Sequence, residues 1–354
     1  MDSPARAPLA FHYDGRAVGW LVPLMLITSL TCNIAALSIP FLEMRVWPGG
    51  PENYSIPHTI HLMWSEFKLY LIAVLIAGFS LIFPFVKLSM LGLAWFAPVH
   101  DRTRARLLGA LGALGRWSLL DVFVALVRIV LAHHQGTLFV TGVKPGLGLF
   151  LAAIVLAMIT GDLMHHLHDR ATGEAPIGKE GRASFAWLVW CVPILGLGAL
   201  GTLIAALQAP YLKITAWFLD DAEYSILGTI RALFEEREFA FGFTVAAFLV
   251  VTPSLRIVLI GLAWFRRHSA EKLGRLSGAI RLVDRWCMLD VFGLAIGLFL
   301  LEGSNLVPIE KRGGVWLLVV AVAASVLLAK ASGLLIAWSV GQADGAAAGG
   351  ENPS

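Results

Sequence analysis

The sequence predicts an all-α polytopic membrane protein: eight transmembrane helices in two parallel four-helix repeats, each with a small β-containing extracytoplasmic loop. Three observations carry this expectation. Only 14% of the 354 residues are charged against 58% hydrophobic, and the mean hydropathy is +0.76, a balance that a water-facing surface does not sustain. Apolar runs long enough to cross about 30 Å of hydrocarbon as helix recur along the chain. Finally, the second half of the chain repeats the first.

The spans fall near Val18–Ile39, Phe67–Phe96, Leu119–Leu131, Leu147–Leu167, Phe185–Leu207, Phe239–Phe265, Leu289–Leu301 and Val315–Ala337. The third and seventh are short and interrupted by glycine or charge. Arg6 and Arg16 precede the first run, as in a signal peptide. That run is longer than a typical signal core and no small-x-small site stands out after it, so the span is expected to be retained. On the N-terminal side of the membrane the connections hold fifteen Lys and Arg residues, among them Arg102, Arg104, Arg106, Arg116, Arg266, Arg267 and Arg285; the other side holds seven. The positive-inside rule therefore places both termini in the cytoplasm. A net charge of +3 reads as a topology signal and gives no support to a nucleic-acid partner.

The repeat is read directly. Gly115–Phe123 is GRWSLLDVF and Asp284–Phe292, 169 residues later, is DRWCMLDVF. At the same offset Gly92–Phe96 and Gly261–Phe265 both read GLAWF, Pro84 matches Pro253, and Lys87 matches Arg256. At an offset of 170, Pro23, Pro40, Trp47 and Tyr54-Ser55-Ile56 match Pro193, Pro210, Trp217 and Tyr224-Ser225-Ile226. Four spans per copy is an even number, so both copies enter the bilayer the same way round. The expected organisation is a first module over 1–168, a linker over 169–183, a second module over 184–340 and a disordered tail over 341–354. Within each module the first extracytoplasmic connection alternates apolar and polar residues, at Phe41–Trp47 and Tyr211–Phe218, which reads as strand.

A Pro-x-x-Lys/Arg in the second span, a basic connection, and Arg-Trp-(Ser/Cys)-(Leu/Met)-Leu-Asp-Val-Phe opening the third span resemble the paraquat-inducible protein A family. The motif residues are Pro84, Arg116, Trp117, Pro253, Arg285 and Trp286. The resemblance implies an inner-membrane protein of a Gram-negative bacterium that moves lipid between inner and outer membranes with an MCE-domain periplasmic partner. Members commonly carry a cytoplasmic zinc ribbon ahead of each module. Here the cysteines are Cys32, Cys191 and Cys287, with no Cys-x-x-Cys pair to supply four thiolates, so neither a ribbon nor a dithiol centre is expected.

Charges inside spans are the candidate functional residues, because each is expensive unless paired or wetted. Lys87, Asp121, Arg128, Arg256, Asp290 and Lys330 are the candidates for a lipid path or polar cluster, with Asp162 a further in-span charge. Lys87 with Asp121, and Arg256 with Asp290, are expected to form one cluster per module, relaying protons or surrounding a lipid headgroup. A structural role is the competing reading for Asp121 and Asp290, close to a helix N-terminus where the dipole favours a carboxylate. Asp162, His165 and His168 give a weak metal-ligand spacing with no counterpart in the second module, so no metal is expected. Trp20, Trp95, Trp264, Trp286 and other tryptophans near span ends read as interfacial anchors. Gly146/Gly148 and Gly196/Gly198 read as close-packing points. There is no GxxxxGK phosphate loop, and neither a cofactor nor an enzymatic activity is expected. A membrane enzyme acting on lipid, with Asp121 or Asp290 as acid/base groups, and a scaffold for a periplasmic partner are the alternatives.

Overall fold

The computed structural model describes residues 8–13, 15–46, 51–66, 68, 70–115, 119, 123, 139–172, 188–214, 222–266, 270–302, 309–311 and 313–349. The chain divides into two compact units, the first of Met1–Glu174, Ile214–Ala222 and Leu294–Ile309, the second of Ala175–Lys213, Glu223–Gly293 and Glu310–Ser354.

In the first unit a single turn, α1 (Leu9–His12), precedes the long helix α2 (Ala17–Ser38). Pro40 cannot donate a backbone bond, and the chain turns there into β1 (Leu42–Val46), which pairs antiparallel with β2 (Pro51–Tyr54), Leu42 opposite Tyr54. A distant strand, β3 (Phe139–Val143), pairs with the other edge of β1 in the register Leu42 opposite Val143, giving the order β2-β1-β3. Lys144 and Glu43 form an ion pair beside this junction. Helix α3 (Ile56–Ser65) follows, with Pro57 in its first turn, where a missing N–H leaves no bond unmade. The second long segment comprises α4 (Tyr70–Ile76), a π-helical turn over Ala77–Ile82 and α5 (Phe83–Phe96). The wide turn sits immediately before Pro84, which interrupts the backbone ladder at that point. Helix α6 (Asp101–Gly115) packs on α5 and on the 28-residue α7 (Pro145–Thr172).

From Leu188 onward the chain repeats this order. It runs through α8 (Leu188–Gln208), β4 (Leu212–Ile214), β5 (Ala222–Tyr224), α9 (Ile226–Glu235), α10 (Phe239–Ala246), a π-helical turn over Ala247–Val251, α11 (Thr252–Phe265), α12 (Ala270–Trp286), α13 (Leu289–Glu302), β6 (Ile309–Lys311) and α14 (Gly314–Gly349). Its strands lie in the order β5-β4-β6. Ser225 caps α9 by accepting from the Gly228 N–H at 3.0 Å. The π-helical turn again precedes the proline, here Pro253.

In each unit the first and last long helices are the principal packing pair, α2 with α7 and α8 with α14. The first core gathers Val22, Leu26, Leu91, Trp95 and Met164; the second gathers Val192, Ile260, Ile280, Leu328 and Leu335. One glycine clasps each pair. The Gly146 N–H donates to the Pro40 carbonyl at 3.2 Å, and that of Gly314 to the Pro210 carbonyl at 3.1 Å. A Cβ on Gly146 would lie 2.6 Å from the Ile39 and Pro40 carbonyl oxygens, and one on Gly314 would overlap the Pro210 carbonyl, so no other residue fits without backbone movement.

Among the described residues six helices are long and apolar enough to cross a membrane: Ala17–Ser38, Ala73–Phe96, Pro145–Thr172, Trp190–Gln208, Phe239–Phe265 and Gly314–Leu335. Large apolar side chains stand exposed along them, Trp20 at 78%, Leu197 at 73% and Phe265 at 74%, as expected where acyl chains are the solvent. The chain is a multi-pass membrane protein. Of the eight spans expected, the third lies outside the described residues except for Leu119 and Phe123, both buried. The seventh corresponds to α13, whose 14 described residues span about 21 Å at 1.5 Å per residue.

Other expectations are corrected. The basic connections after the second and sixth spans are largely the helices α6 and α12, whose amphipathic sequences pack back along α5 and α11. Helix α7 continues four residues past the expected boundary at 168 to Thr172. The rest of the linker lies outside the described residues, apart from helical Asp169–Thr172. The C-terminal tail is helical as far as Gly349, where Ala343 and Ala346–Ala348 supply the best helix-forming residue type. Trp95 is fully buried against Tyr13, ring centroids 6.4 Å apart, and is no interfacial anchor. Gly148, Gly196 and Gly198 face open space; of the four expected glycines Gly146 alone is a close-packing point.

Candidate functional site

The two buried cations expected from sequence are both present, each in the second turn of the helix that follows a π-helical turn. Arg256 on α11 is 5% exposed and Lys87 on α5 is 3% exposed. Pro253 and Pro84, both buried, stand one turn earlier on the same helices. Lys87 lies nine residues before the end of α5 at Phe96, about 13 Å along the axis, too far to snorkel fully to water.

Around Arg256 the partners come from three elements. Its Nη2 donates to the Ser325 carbonyl at 2.9 Å and forms an ion pair with Asp284 Oδ1 at 3.0 Å. Its Nη1 donates to Ser325 Oγ at 3.0 Å and reaches Cys287 Sγ at 3.8 Å. The planar fork suits this divided recognition, in which Nη1 and Nη2 between them meet a carboxylate, a hydroxyl and a carbonyl while the buried Nε has no hydrogen-bond partner among the described residues. Helix α12 ends at Trp286 and α13 begins at Leu289, so the cation sits against a break in an otherwise continuous helical path. The C-terminal, negative end of α12 faces it, while Asp290 occupies the first turn of α13, where the dipole favours an anion. Thr252 Oγ1 donates to the Trp286 carbonyl at 3.3 Å, and the Trp286 ring stacks on Phe248 at 5.8 Å, which fixes the end of α12 against the π-helical turn.

Lys87 is placed alike but satisfied differently. Its Nζ would lie 3.1 Å from a Cβ built on Gly115, the last residue of α6. Among the described residues that buried Nζ has no hydrogen-bond partner. Asp162 on α7 acts on it through its charge. The repeat explains the contrast. Gly115 and Asp284 open the matching motifs 169 residues apart, so the position whose carboxylate pairs with Arg256 is a glycine beside Lys87. Gly146 and Gly314 make the same clasp and set the register of the fourth helices. Eleven residues on, Ala157 matches Ser325; sixteen residues on, Asp162 matches Lys330. The first module thus carries Lys87, Gly115, Ala157 and Asp162 where the second carries Arg256, Asp284, Ser325 and Lys330.

Of the other sequence candidates, Asp121, Arg128, Arg116 and Trp117 lie outside the described residues. Lys330 is exposed on α14, away from a buried cluster, and Arg285 is partly buried in the last turn of α12. Asp290 acts by its charge on Cys287, while the carboxylate bonded to Arg256 is Asp284. His165 pairs with Asp169 at 3.2 Å, and His168 is buried with its Nδ1 lacking a hydrogen bond; among the described residues no three His, Cys, Asp or Glu side chains gather to hold a metal. Sequence reasoning missed Asp284 and Ser325. The signal for Asp284 was its place at the head of the repeated motif, where the other copy has glycine. Arg104, expected only as a topology charge, is 2% exposed and closes the end of α5, its Nε donating to the Ala94 carbonyl at 3.1 Å and its Nη2 to that of Ala97 at 3.3 Å. Burial lowers its pKa, opposed by the charge of Asp101.

A family model described as Paraquat-inducible protein A matches residues 22–168 and 191–340, one stretch for each module. The chain belongs to the paraquat-inducible protein A family. The two matched stretches contain both buried cations and the helix break at Arg256. No curated protein and no solved structure matches the chain.

Proposed function

We propose that this paraquat-inducible protein A family member is a non-enzymatic inner-membrane component of a lipid transport system, moving lipid between inner and outer membranes with an MCE-domain periplasmic partner. In this reading both termini lie in the cytoplasm and the strands β1–β3 and β4–β6 face the periplasm, where the partner docks. The observation that carries the proposal is the buried Arg256 between Asp284 and Ser325 at a helix break, repeated in outline at Lys87. Irregular backbone and buried charge at helix ends are how membrane transport proteins build polar sites in hydrocarbon. Duplication of the cation in both modules supports a conduit or holding role over a single asymmetric catalytic centre. The test is gentle solubilisation from native membranes followed by mass spectrometry of co-purifying lipid and protein. Phospholipid together with an MCE-domain protein is expected; a lipid-free monomer that hydrolyses lipid would overturn the proposal in favour of an enzyme.

A further inference from the structure

The two modules solve the same electrostatic problem in different ways, and the difference identifies a ligand site. In the second module the ion pair is internal: Asp284 supplies the oxygen that Arg256 requires, and Ser325 supplies two more. In the first, the matching positions are Gly115 and Ala157, neither of which carries a side-chain oxygen. Lys87 is 97% buried by its 3% exposure, and its ammonium has three donors to satisfy. Asp162 acts on it through its charge, yet the Nζ has no hydrogen bond among the described residues. A buried donor in this state calls for an acceptor that the described residues do not supply.

We infer that Lys87, at the glycine end of α6, binds a phosphate oxyanion, so that the first module takes from its ligand the oxygen that the second takes from Asp284. This rests on the lipid-handling role proposed above and names the chemistry its first module recognises, the phosphate of an anionic headgroup or a free phosphate. An ammonium on a flexible stem suits a phosphate oxygen as a point charge. The Lys87 terminus lies over Gly115: a Cβ there would stand 3.1 Å from Nζ and 3.6 Å from Cε, so a side chain at 115 would crowd the ammonium. In the second module the matching position carries the carboxylate of Asp284, paired with Arg256.

The experiment exchanges the two arrangements. Full-length protein and the variants Lys87→Met, Gly115→Asp and Asp284→Gly are reconstituted in nanodiscs of mixed phosphatidylglycerol and phosphatidylcholine. Folding is checked by size-exclusion chromatography, and retained lipid is counted by native mass spectrometry with and without excess inorganic phosphate. The unsubstituted chain is expected to retain phosphatidylglycerol, K87M and G115D to hold it about tenfold more weakly, and D284G to gain a second bound molecule. Displacement by inorganic phosphate assigns the site to the free anion; resistance assigns it to the lipid. Equal retention by all four chains would overturn the Lys87 assignment and leave lipid handling standing. Absence of bound lipid and of any phosphate effect in every chain would overturn both.

Discussion

Removing Asp284 should destabilise the protein more than removing Arg256, although the arginine makes more contacts. In Asp284→Asn the guanidinium stays buried, 6% exposed in its side chain, keeps both Ser325 bonds and loses only its anion. A charge-assisted hydrogen bond contributes about 1.5–3 kcal/mol. Asp284 is 41% exposed, so solvent screens the pair and the low end applies, about 1.5 kcal/mol. In Arg256→Met the buried charge disappears, the half-exposed carboxylate rehydrates, and the apolar side chain occupies much of the same volume, so the loss should be under about 1 kcal/mol. The double variant should then resemble R256M alone. A double-mutant cycle in detergent, with unfolding titrated by SDS and followed by circular dichroism, should give a coupling energy of about 1.5 kcal/mol. Strict additivity of the two substitutions, or an Asp284→Asn variant as stable as the parent, would refute the assignment of Asp284 as the partner of Arg256.

Gly146→Ala and Gly314→Ala each drive a Cβ into a backbone carbonyl and should cost about 1–3 kcal/mol or more, while Gly148→Ala, which meets nothing within 4 Å, should leave thermal stability in detergent unchanged. Arg104→Lys retains charge but cannot span the Ala94 and Ala97 carbonyls, so a loss of about 1–2 kcal/mol is expected in the same assay. Tyr211 is buried with its hydroxyl 2.8 Å from Thr229 Oγ1, and burial pushes its pKa up to about 12 from 10.0. The neutral phenol is therefore the form the fold prefers: its contribution is complete below pH 10 and is lost as pH rises from 10 through about 12. Tyr211→Phe should cost about 1 kcal/mol at neutral pH and abolish that part of the alkaline loss, as read by unfolding midpoints against pH.

What the sequence made legible was whatever hydrocarbon or duplication imposes. Apolar length marks six helices to within a few residues, and identity at fixed offset marks Lys87, Arg256, Pro84 and Pro253. Partner choice was hidden because it depends on where helices break. Asp284, in the last turn of the helix before the gap at Cys287-Met288, stands at the guanidinium, a place that its position outside the expected spans does not mark. The helices α6 and α12 were hidden for a related reason: their charged residues mark them as connections by hydropathy, while their amphipathic faces pack them along the neighbouring span. Trp95 illustrates the limit of position rules, since nearness to a span end does not reveal that Tyr13 and the first turn of the chain cover it.

The pairing of first with last helix in each module has a consequence for biosynthesis. Between the end of α2 at Ser38 and the start of α7 at Pro145 lie more than one hundred residues, and at 5–20 residues per second a ribosome needs roughly 5–20 s to supply them. Throughout that interval α2 is in the bilayer without its partner. Ser29, whose hydroxyl finally donates to the Ala153 carbonyl at 2.9 Å, and Asn33, which bonds the Ser29 carbonyl at 3.0 Å, have yet to acquire their buried surroundings. The first helix must be held, by the insertion machinery or by passing lipid, until the fourth arrives and the glycine clasp closes the module.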